Sequence, residues 1–234
     1  MRNQRERRIV VHATRRLRLY LAIAVVGVLG ALVITSYRLR LAPTLNGSHI
    51  VVIDPGHGGK DPGAVGSPGI YEKNINLSIA MILATLLRQK NITVYMTRTS
   101  DQVPSSPPFH TVTDLRHRAF MARRWHATLF ITIHTNAEPS HQAQGPIVYY
   151  QAGSKVSWEL ANHVSQALAA IQGRMTAPRP IRQLVLQESG VPAINVEVGF
   201  LTHPLDQSRL LNSHYQTQIA QAVTQGIVRY LYRG

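Results

Sequence analysis

Short apolar runs alternate with helical patterns along most of this chain, and this alternation constrains its fold more than any other feature. Helical spacing of isoleucine, leucine and valine predicts helices over 73–90, 156–171 and 219–231, and Asp114, a common N-cap residue, predicts another over 114–124. Strands are predicted over 49–54, 93–97, 129–134, 146–150, 183–186 and 193–198, and 172–182 is predicted to be a polar connection. This alternation predicts a single α/β domain over 49–234, with a mostly parallel twisted sheet flanked by helices.

Size and cysteine content narrow the class of protein. Removing the first 48 of the 234 residues leaves 186, which is enough for one domain with a substantial core. The hydrophobic fraction of 44% is typical of a globular protein. The chain has no cysteine, which excludes disulfides, thiolate metal ligands and a cysteine nucleophile.

The net charge of +14 is concentrated at the N-terminus. Residues 1–40 carry nine arginines and one glutamate, a charge of +8, so +6 is spread over the remainder. No basic stripe interleaved with aromatic residues and no DNA-binding motif is present, so no nucleic-acid partner is expected. A mildly basic domain suits an anionic cell-wall polymer.

The segment 19–37 has no charged residue and is long enough for a membrane span. Nineteen helical residues extend roughly 28 Å, close to the thickness of a bilayer core. Seven arginines lie in the basic segment 1–18 and two in the linker 38–48, so the positive-inside rule places residues 1–18 in the cytoplasm. The sequence thus predicts a signal anchor in the cell membrane with the domain on the extracytoplasmic side. A cleaved signal peptide and an exported domain are the alternative.

Two histidines follow predicted strands. His57 lies in a glycine-rich loop directly after the strand 49–54, and His134 ends the strand 129–134. Open α/β sheets bind ligands beyond the carboxyl ends of their strands, so both imidazoles are candidates for one site. A loop histidine taken alone is more often structural or solvated.

Two glutamates occupy unusual positions. Glu72 lies where the glycine-rich loop meets the next helix, a position that the helix dipole also favours for any carboxylate. Glu197 interrupts the apolar strand 193–198, where a carboxylate is costly unless it is paired, solvated or near a metal. A half-exposed edge strand is the alternative explanation for Glu197. Two imidazoles and a carboxylate form a typical catalytic zinc shell, and a further carboxylate can act as general base.

Four short segments resemble, in their residues and in their order along the chain, the zinc-dependent N-acetylmuramoyl-L-alanine amidases, which cut stem peptides from peptidoglycan. The segments are Val52-Ile-Asp-Pro-Gly-His-Gly-Gly, Tyr71-Glu-Lys-Asn, Ile131-Thr-Ile-His-Thr-Asn-Ala and Val196-Glu-Val-Gly-Phe. The resemblance extends from about His49 to the C-terminus. It implies that His57, Glu72 and His134 bind Zn²⁺ and that Glu197 is the catalytic glutamate.

The resemblance also implies a subtype and a form of regulation. The small size, the single predicted anchor and the lack of wall-binding repeats are most similar to the germination-specific amidases of the spore cortex. No connection is long enough for the blocking insertion of some relatives, so location, substrate form or a separate regulatory protein would restrain activity. Arg123 and His203 replace asparagines that are usual in the family, which puts the packing near the cleft or the substrate preference in question.

Two other functions remain open at the level of sequence. One is a different zinc hydrolase of peptidoglycan, a deacetylase or a peptidase. The other is an inactive, membrane-tethered wall-binding protein. Product analysis separates the first from an amidase, because only an amidase frees the amino group of L-alanine.

Overall fold

The computed structural model describes residues 24–30 and 49–233. Residues 24–30 form helix α1. In these two ranges, no helix combines the length and the apolar character that a membrane crossing requires. Most of the predicted anchor 19–37, with the segment 1–18 and all of the linker 38–48, lies outside the described residues, so the anchor stays a prediction.

The domain is a six-stranded sheet with helices on both faces, as the alternating pattern predicts. The strands are β1 (Ile50–Pro55), β2 (Thr93–Met96), β3 (Leu129–Asn136), β4 (Ile147–Gln151), β5 (Arg179–Ile181) and β6 (Ala193–Phe200). The helices are α2 (Glu72–Arg88), α3 (Thr111–Arg124), α4 (Lys155–Gln172), α5 (Leu184–Glu188), α6 (Pro204–Leu210) and α7 (Ser213–Leu231). The strand order is β2-β1-β3-β6-β4-β5, and all neighbours are parallel except β4 and β6. The prediction of one mostly parallel α/β domain is therefore confirmed.

Three local predictions are wrong, and one helix was missed. Helix α3 begins at Thr111, after the N-cap residue His110, so Asp114 lies inside the helix, where it accepts a hydrogen bond from Arg118. The predicted strand 183–186 belongs to helix α5, which buries Val185 and Leu186. The predicted connection 172–182 contains strand β5, and helix α6 was not predicted at all.

The core is divided by the sheet into two clusters. Alternate strand residues such as Val51 and Ile53 pack with helices α2, α4 and α7 on one face. Val52 and Phe130 point to the other face, where they pack with helices α3 and α5. Parallel strands buried on both faces carry continuous apolar runs, which explains the sequence pattern.

The order of the strands brings the candidate residues to one edge of the sheet. Strands β1, β3 and β6 are parallel neighbours, so their carboxyl ends lie together. Pro55 pairs with Ile133, and His134 pairs directly with Glu197. Four residues that are far apart in the sequence thus converge on one surface.

Candidate active site

His57, Glu72 and His134 form a compact cluster beyond β1 and β3. One possible ligand atom from each lies within 4.8 Å of the others. Glu72 is central: its Oε2 lies 3.2 Å from Nε2 of His57, and its Oε1 lies 2.9 Å from Nδ1 of His134. The structure brings together the three residues that the sequence analysis selected.

The carboxylate of Glu72 is fixed by donors from three segments. The backbone N–H of Ala64 donates to Oε2 at 2.8 Å, and that of Thr135 donates to Oε1 at 3.0 Å. Asn76 lies one helical turn after Glu72, and its side-chain amide donates to Oε1 at 3.1 Å. Burial acts to raise the pKa of Glu72, but hydrogen bonds and the charges of the two imidazoles hold it far below its usual range. Glu72 is therefore an ionised carboxylate with a fixed orientation, which suits it to bind a cation.

His57 has a defined ring orientation. Its Nδ1 lies 2.8 Å from Oδ2 of Asp61, which leaves Nε2 directed at Glu72. Burial acts to lower the pKa of His57, but the hydrogen bonds and charges of Glu72 and Asp61 outweigh it and raise the pKa to about 9. A histidine that donates its second ring N–H to a carboxylate is the usual arrangement of a metal ligand.

Two glycines make room for the cluster. A Cβ at Gly56 would overlap the imidazole of His134. A Cβ at Gly63 would lie 2.5 Å from Oε2 of Glu72 and 2.7 Å from Cδ2 of His57. Glycine is therefore required at these two positions by the close approach of the backbone to the three side chains.

Two buried arginines hold the backbone that carries His57. Arg98 donates from Nε to the carbonyl of Pro55 at 2.9 Å and from Nη2 to that of Gly56 at 2.8 Å. Arg118 donates from Nη1 to Pro55 and from Nη2 to the carbonyl of His57, both at 2.9 Å. Three consecutive carbonyls are thus fixed by guanidinium groups.

Arg118 is neutralised by carboxylates beneath the loop. It is 2% exposed and bonds to Asp54 at 2.8 Å and to Asp114 at 2.6 Å. Burial acts to raise the pKa of Asp54, but the adjacent Arg118 and the hydroxyl of Thr97 hold it below its usual range. A buried ion network therefore lies directly under the cluster.

Glu197 lies beside the cluster on strand β6. Its Oε1 accepts from the amide of Asn195 at 3.0 Å, whereas Oε2 is buried and has no partner among the described residues. Burial raises the pKa of Glu197 above its usual value. Because β6 lies between β3 and β4, the alternative of a half-exposed edge strand is wrong. An unpaired buried carboxylate oxygen is costly, so this oxygen is available to a group that enters the site.

Comparison with known proteins identifies the family. A sequence model described as "N-acetylmuramoyl-L-alanine amidase" matches residues 51–229. The chain belongs to this amidase family. The amidase resembles the germination-specific N-acetylmuramoyl-L-alanine amidase of Bacillus subtilis, with 31% identity over 77% of this chain and 79% of the relative. The sporulation-specific amidase of the same organism is 30% identical, over 76% of this chain and 66% of that protein.

Solved structures give the same result. The CwlD amidase from Clostridioides difficile, in complex with the GerS lipoprotein, matches with a TM-score of 0.76 and 27% identity, over 80% of this amidase and all of that chain. An N-acetylmuramoyl-L-alanine amidase from Clostridium difficile 630 matches with a TM-score of 0.72 and 36% identity, over 80% and 99%. The deacetylase, peptidase and wall-binding alternatives are not favoured by these findings.

The sequence analysis missed the residues that support the amidase site. Asp61 lies four positions after His57, and Asn76 lies four positions after Glu72. This short spacing could have identified both as hydrogen-bonding partners of the selected residues. Arg98 and Arg118 were not selected as site residues, because nothing local in the sequence shows that they contact the loop of His57. His203 does not enter the cluster; it caps helix α6 through Asp206.

Two grooves flank the site of the amidase. The first, here called the β4–β5 groove, has a volume of about 690 Å³ and is lined by residues that include Asn136, Ile147, Tyr149, Arg174 and Arg179. The second, here called the loop groove, also measures about 690 Å³ and is lined by residues that include Lys60, Val103, Pro107, Pro108 and Phe109.

Proposed function

We propose that this amidase is a zinc enzyme in which His57, Glu72 and His134 hold the metal and Glu197 is the general base. The observation that carries the proposal is the cluster itself, with a buried, unpartnered carboxylate oxygen on the adjacent strand. The reaction would hydrolyse the amide bond between the lactyl group of N-acetylmuramic acid and L-alanine in peptidoglycan.

The donor set fits Zn²⁺. Two imidazoles and one carboxylate are a common catalytic zinc shell, and the hydrogen bond from His57 to Asp61 adds the expected outer partner. Zinc bound there would polarise the substrate carbonyl and lower the pKa of water to about 7. Glu72, already ionised and held by backbone N–H groups, needs no proton removed before it binds the metal.

Glu197 would move the proton in both halves of the reaction. Its free Oε2 would accept the proton of the attacking water and return it to the leaving nitrogen of L-alanine. Burial raises the pKa of Glu197. A carboxyl group with a raised pKa binds a proton more firmly, so Glu197 would keep the proton taken from water until it is passed to the leaving amine. Asn195 bonds to Oε1 and so fixes the orientation of the carboxylate.

Glu197→Gln tests this assignment because it keeps the shape of the side chain but cannot accept a proton. The variant should retain its fold and its zinc, while release of L-alanine amino groups from purified peptidoglycan falls about 10²- to 10⁴-fold. Glu159→Gln, a surface carboxylate paired with Arg233, is the control and should keep full turnover. Near-normal turnover in Glu197→Gln would remove this residue from the mechanism, and loss of zinc would make it a ligand instead.

The physiological setting is also a proposal. Similarity to germination-specific and sporulation-specific relatives supports peptidoglycan of the spore cortex as the substrate. CwlD was solved with the GerS lipoprotein, which supports a separate protein partner for this chain as well. Activity on isolated cortex compared with vegetative wall, with and without a co-expressed lipoprotein, tests both points.

The asymmetry of arginines around 19–37 supports an anchor with the domain outside the membrane. Protease added to intact protoplasts should then remove the domain and leave the N-terminus protected. A domain that is protected until lysis contradicts this topology, and an exported form that lacks the first residues indicates a cleaved signal peptide.

A further inference from the structure

The β4–β5 groove begins next to Glu197. Ile147 pairs with Glu197 and Tyr149 pairs with Asn195 across strands β4 and β6, and Arg179 pairs with Tyr149 on strand β5. Register partners point to the same face of a sheet, so these side chains share the face that carries Glu197. The groove lining contains Ile147, Tyr149 and Arg179, in agreement with this register.

The group that receives the proton from Glu197 indicates which part of the substrate lies in this groove. Under the proposed function, Glu197 gives its proton to the amine of L-alanine, so the leaving peptide must lie on the Glu197 side of the scissile bond. The β4–β5 groove is on that side. The loop groove, which contacts the backbone beside His57 through Gly59 and Lys60, is then left for the glycan.

The charges of the β4–β5 groove suit an anionic ligand. Arg174 and Arg179 are exposed, and neither forms an ion pair among residues 49–233. Arg174 directly follows Gly173, which ends helix α4 in a left-handed conformation with φ of 70°. The one acidic lining residue, Glu138, is already bonded to the hydroxyl and backbone N–H of Ser140. The lining therefore presents two free guanidinium groups and one occupied carboxylate.

We propose that the β4–β5 groove binds the stem peptide of peptidoglycan and that Arg174 and Arg179 recognise its carboxylates. This inference rests on the proposed function, because it uses the role of Glu197. Guanidinium groups match carboxylates in geometry and charge, often through two parallel hydrogen bonds. The stem peptide carries free carboxylates from its second residue onward, whereas the glycan near the scissile bond offers hydroxyl and amide groups.

The distances are compatible with this assignment. Arg179 lies two strands across and two residues along from Glu197, which places their Cα atoms roughly 12 Å apart at the usual strand spacing and rise. An extended peptide covers about 3.5 Å per residue, so its second or third residue reaches the guanidinium of Arg179. The first carboxylates of the stem peptide therefore lie within reach of the guanidinium groups, beyond the apolar side chains that line the groove nearer to Glu197.

The test compares two soluble substrates that differ in one charge. Each is N-acetylmuramoyl tripeptide, with the α-carboxylate of the second residue either free or converted to an amide. The double variant Arg174→Gln, Arg179→Gln should raise KM for the free carboxylate about tenfold, which corresponds to roughly 1.4 kcal/mol of binding. kcat should be unchanged, because the lost contact acts equally on ground state and transition state. For the amidated substrate, KM should change less than about threefold.

Arg124→Gln is the matched control, since Arg124 is an exposed arginine on helix α3 that lines neither groove. Equal KM values in the double variant and the control overturn the inference, and so does an equal loss on both substrates. Melting temperature and zinc content should match wild type in both variants, and a change in either would assign the arginines a structural role instead. If wild-type enzyme frees no L-alanine amino group from either substrate, the proposed function itself fails.

Discussion

His57 holds a backbone conformation that is unfavourable for any residue with a Cβ. Its φ of 62° lies in the left-handed region, which costs roughly 1–2 kcal/mol for a residue other than glycine. The four hydrogen bonds from Arg98 and Arg118 to the carbonyls of residues 55–57 fix this conformation. The two arginines therefore act on the proposed metal site through the backbone that carries His57.

Arg98→Lys should separate this positioning role from charge, because lysine keeps the charge but loses the planar fork. Zinc affinity should fall about 10- to 100-fold, as is typical when a partner of a metal ligand is lost. Titration against a competing chelator measures the affinity. Arg88→Lys is the control, since Arg88 bonds to the carbonyl of Val94 away from the site and should leave zinc affinity unchanged. Unchanged affinity in Arg98→Lys would show that the fork does not position His57.

The sequence analysis selected the four side chains that come together at the site. It missed the arginines that hold the loop of His57 in place. His57, Glu72, His134 and Glu197 stand at strand ends or helix starts within distinctive short segments. Arg118 reaches the carbonyl of His57 across a separation of 61 residues, and no local pattern encodes such a contact. Asp114 was predicted as a helix cap because the sequence shows its residue type and not its partner, Arg118.

At the level of elements, helix α7 packs closely against the backbone of helix α4 at Gly226. A Cβ there would lie 2.5 Å from Cα of Val164 and 2.9 Å from the carbonyl oxygen of His163. Glycine in the middle of a helix costs about 1 kcal/mol relative to alanine, so close packing explains its presence.

Gly226→Ala should therefore destabilise the domain although alanine is the better helix former. Overpacking costs about 1–3 kcal/mol, and a clash with backbone atoms belongs at the upper end of this range. After the gain in propensity is subtracted, a net loss of up to about 2 kcal/mol should lower the melting temperature by up to about 8 °C. Gln225→Ala, an exposed neighbour on the same helix, should change the melting temperature little. A melting temperature at or above that of wild type in Gly226→Ala would mean that helices α4 and α7 can move apart to accept the methyl group without loss of stability. Zinc content should be unaffected, since this contact is remote from the cluster.

Elements with strong periodicity could be predicted, and short ones could not. Helices α2, α4 and α7 have 17 to 19 residues, so their apolar spacing repeats over several turns. The run Leu184-Val-Leu is too short to show a period, and its packing against Ala119 and Ala122 decides that it is helical. Strand β5 has three residues, one of them Pro180, and only its pairing with β4 defines it.

At the scale of the whole molecule, the metal-free enzyme should lose stability as pH rises. The pKa of His57 is raised from 6.5 to about 9 by Glu72 and Asp61, so its stabilising contribution is complete below pH 6.5 and is lost as pH passes through 9. The ring is 24% exposed, so the loss should be below about 3 kcal/mol. Urea unfolding of chelated protein between pH 6 and 9.5 measures it. His57→Gln should show a flatter profile, and identical profiles would contradict the assignment.

The position of β6 also has a consequence for the timing of activity during synthesis. Strand β6 inserts between β3 and β4, both of which leave the ribosome earlier, and it brings Glu197 with it. Until Ala193–Phe200 is available, β3 has no partner on that side, and β4 has none to join it to the sheet. Long-range pairing of this kind forms slowly. A chain in which β6 has not yet inserted lacks Glu197 at the site, so under the proposed function it is inactive even if the three cluster residues have already met.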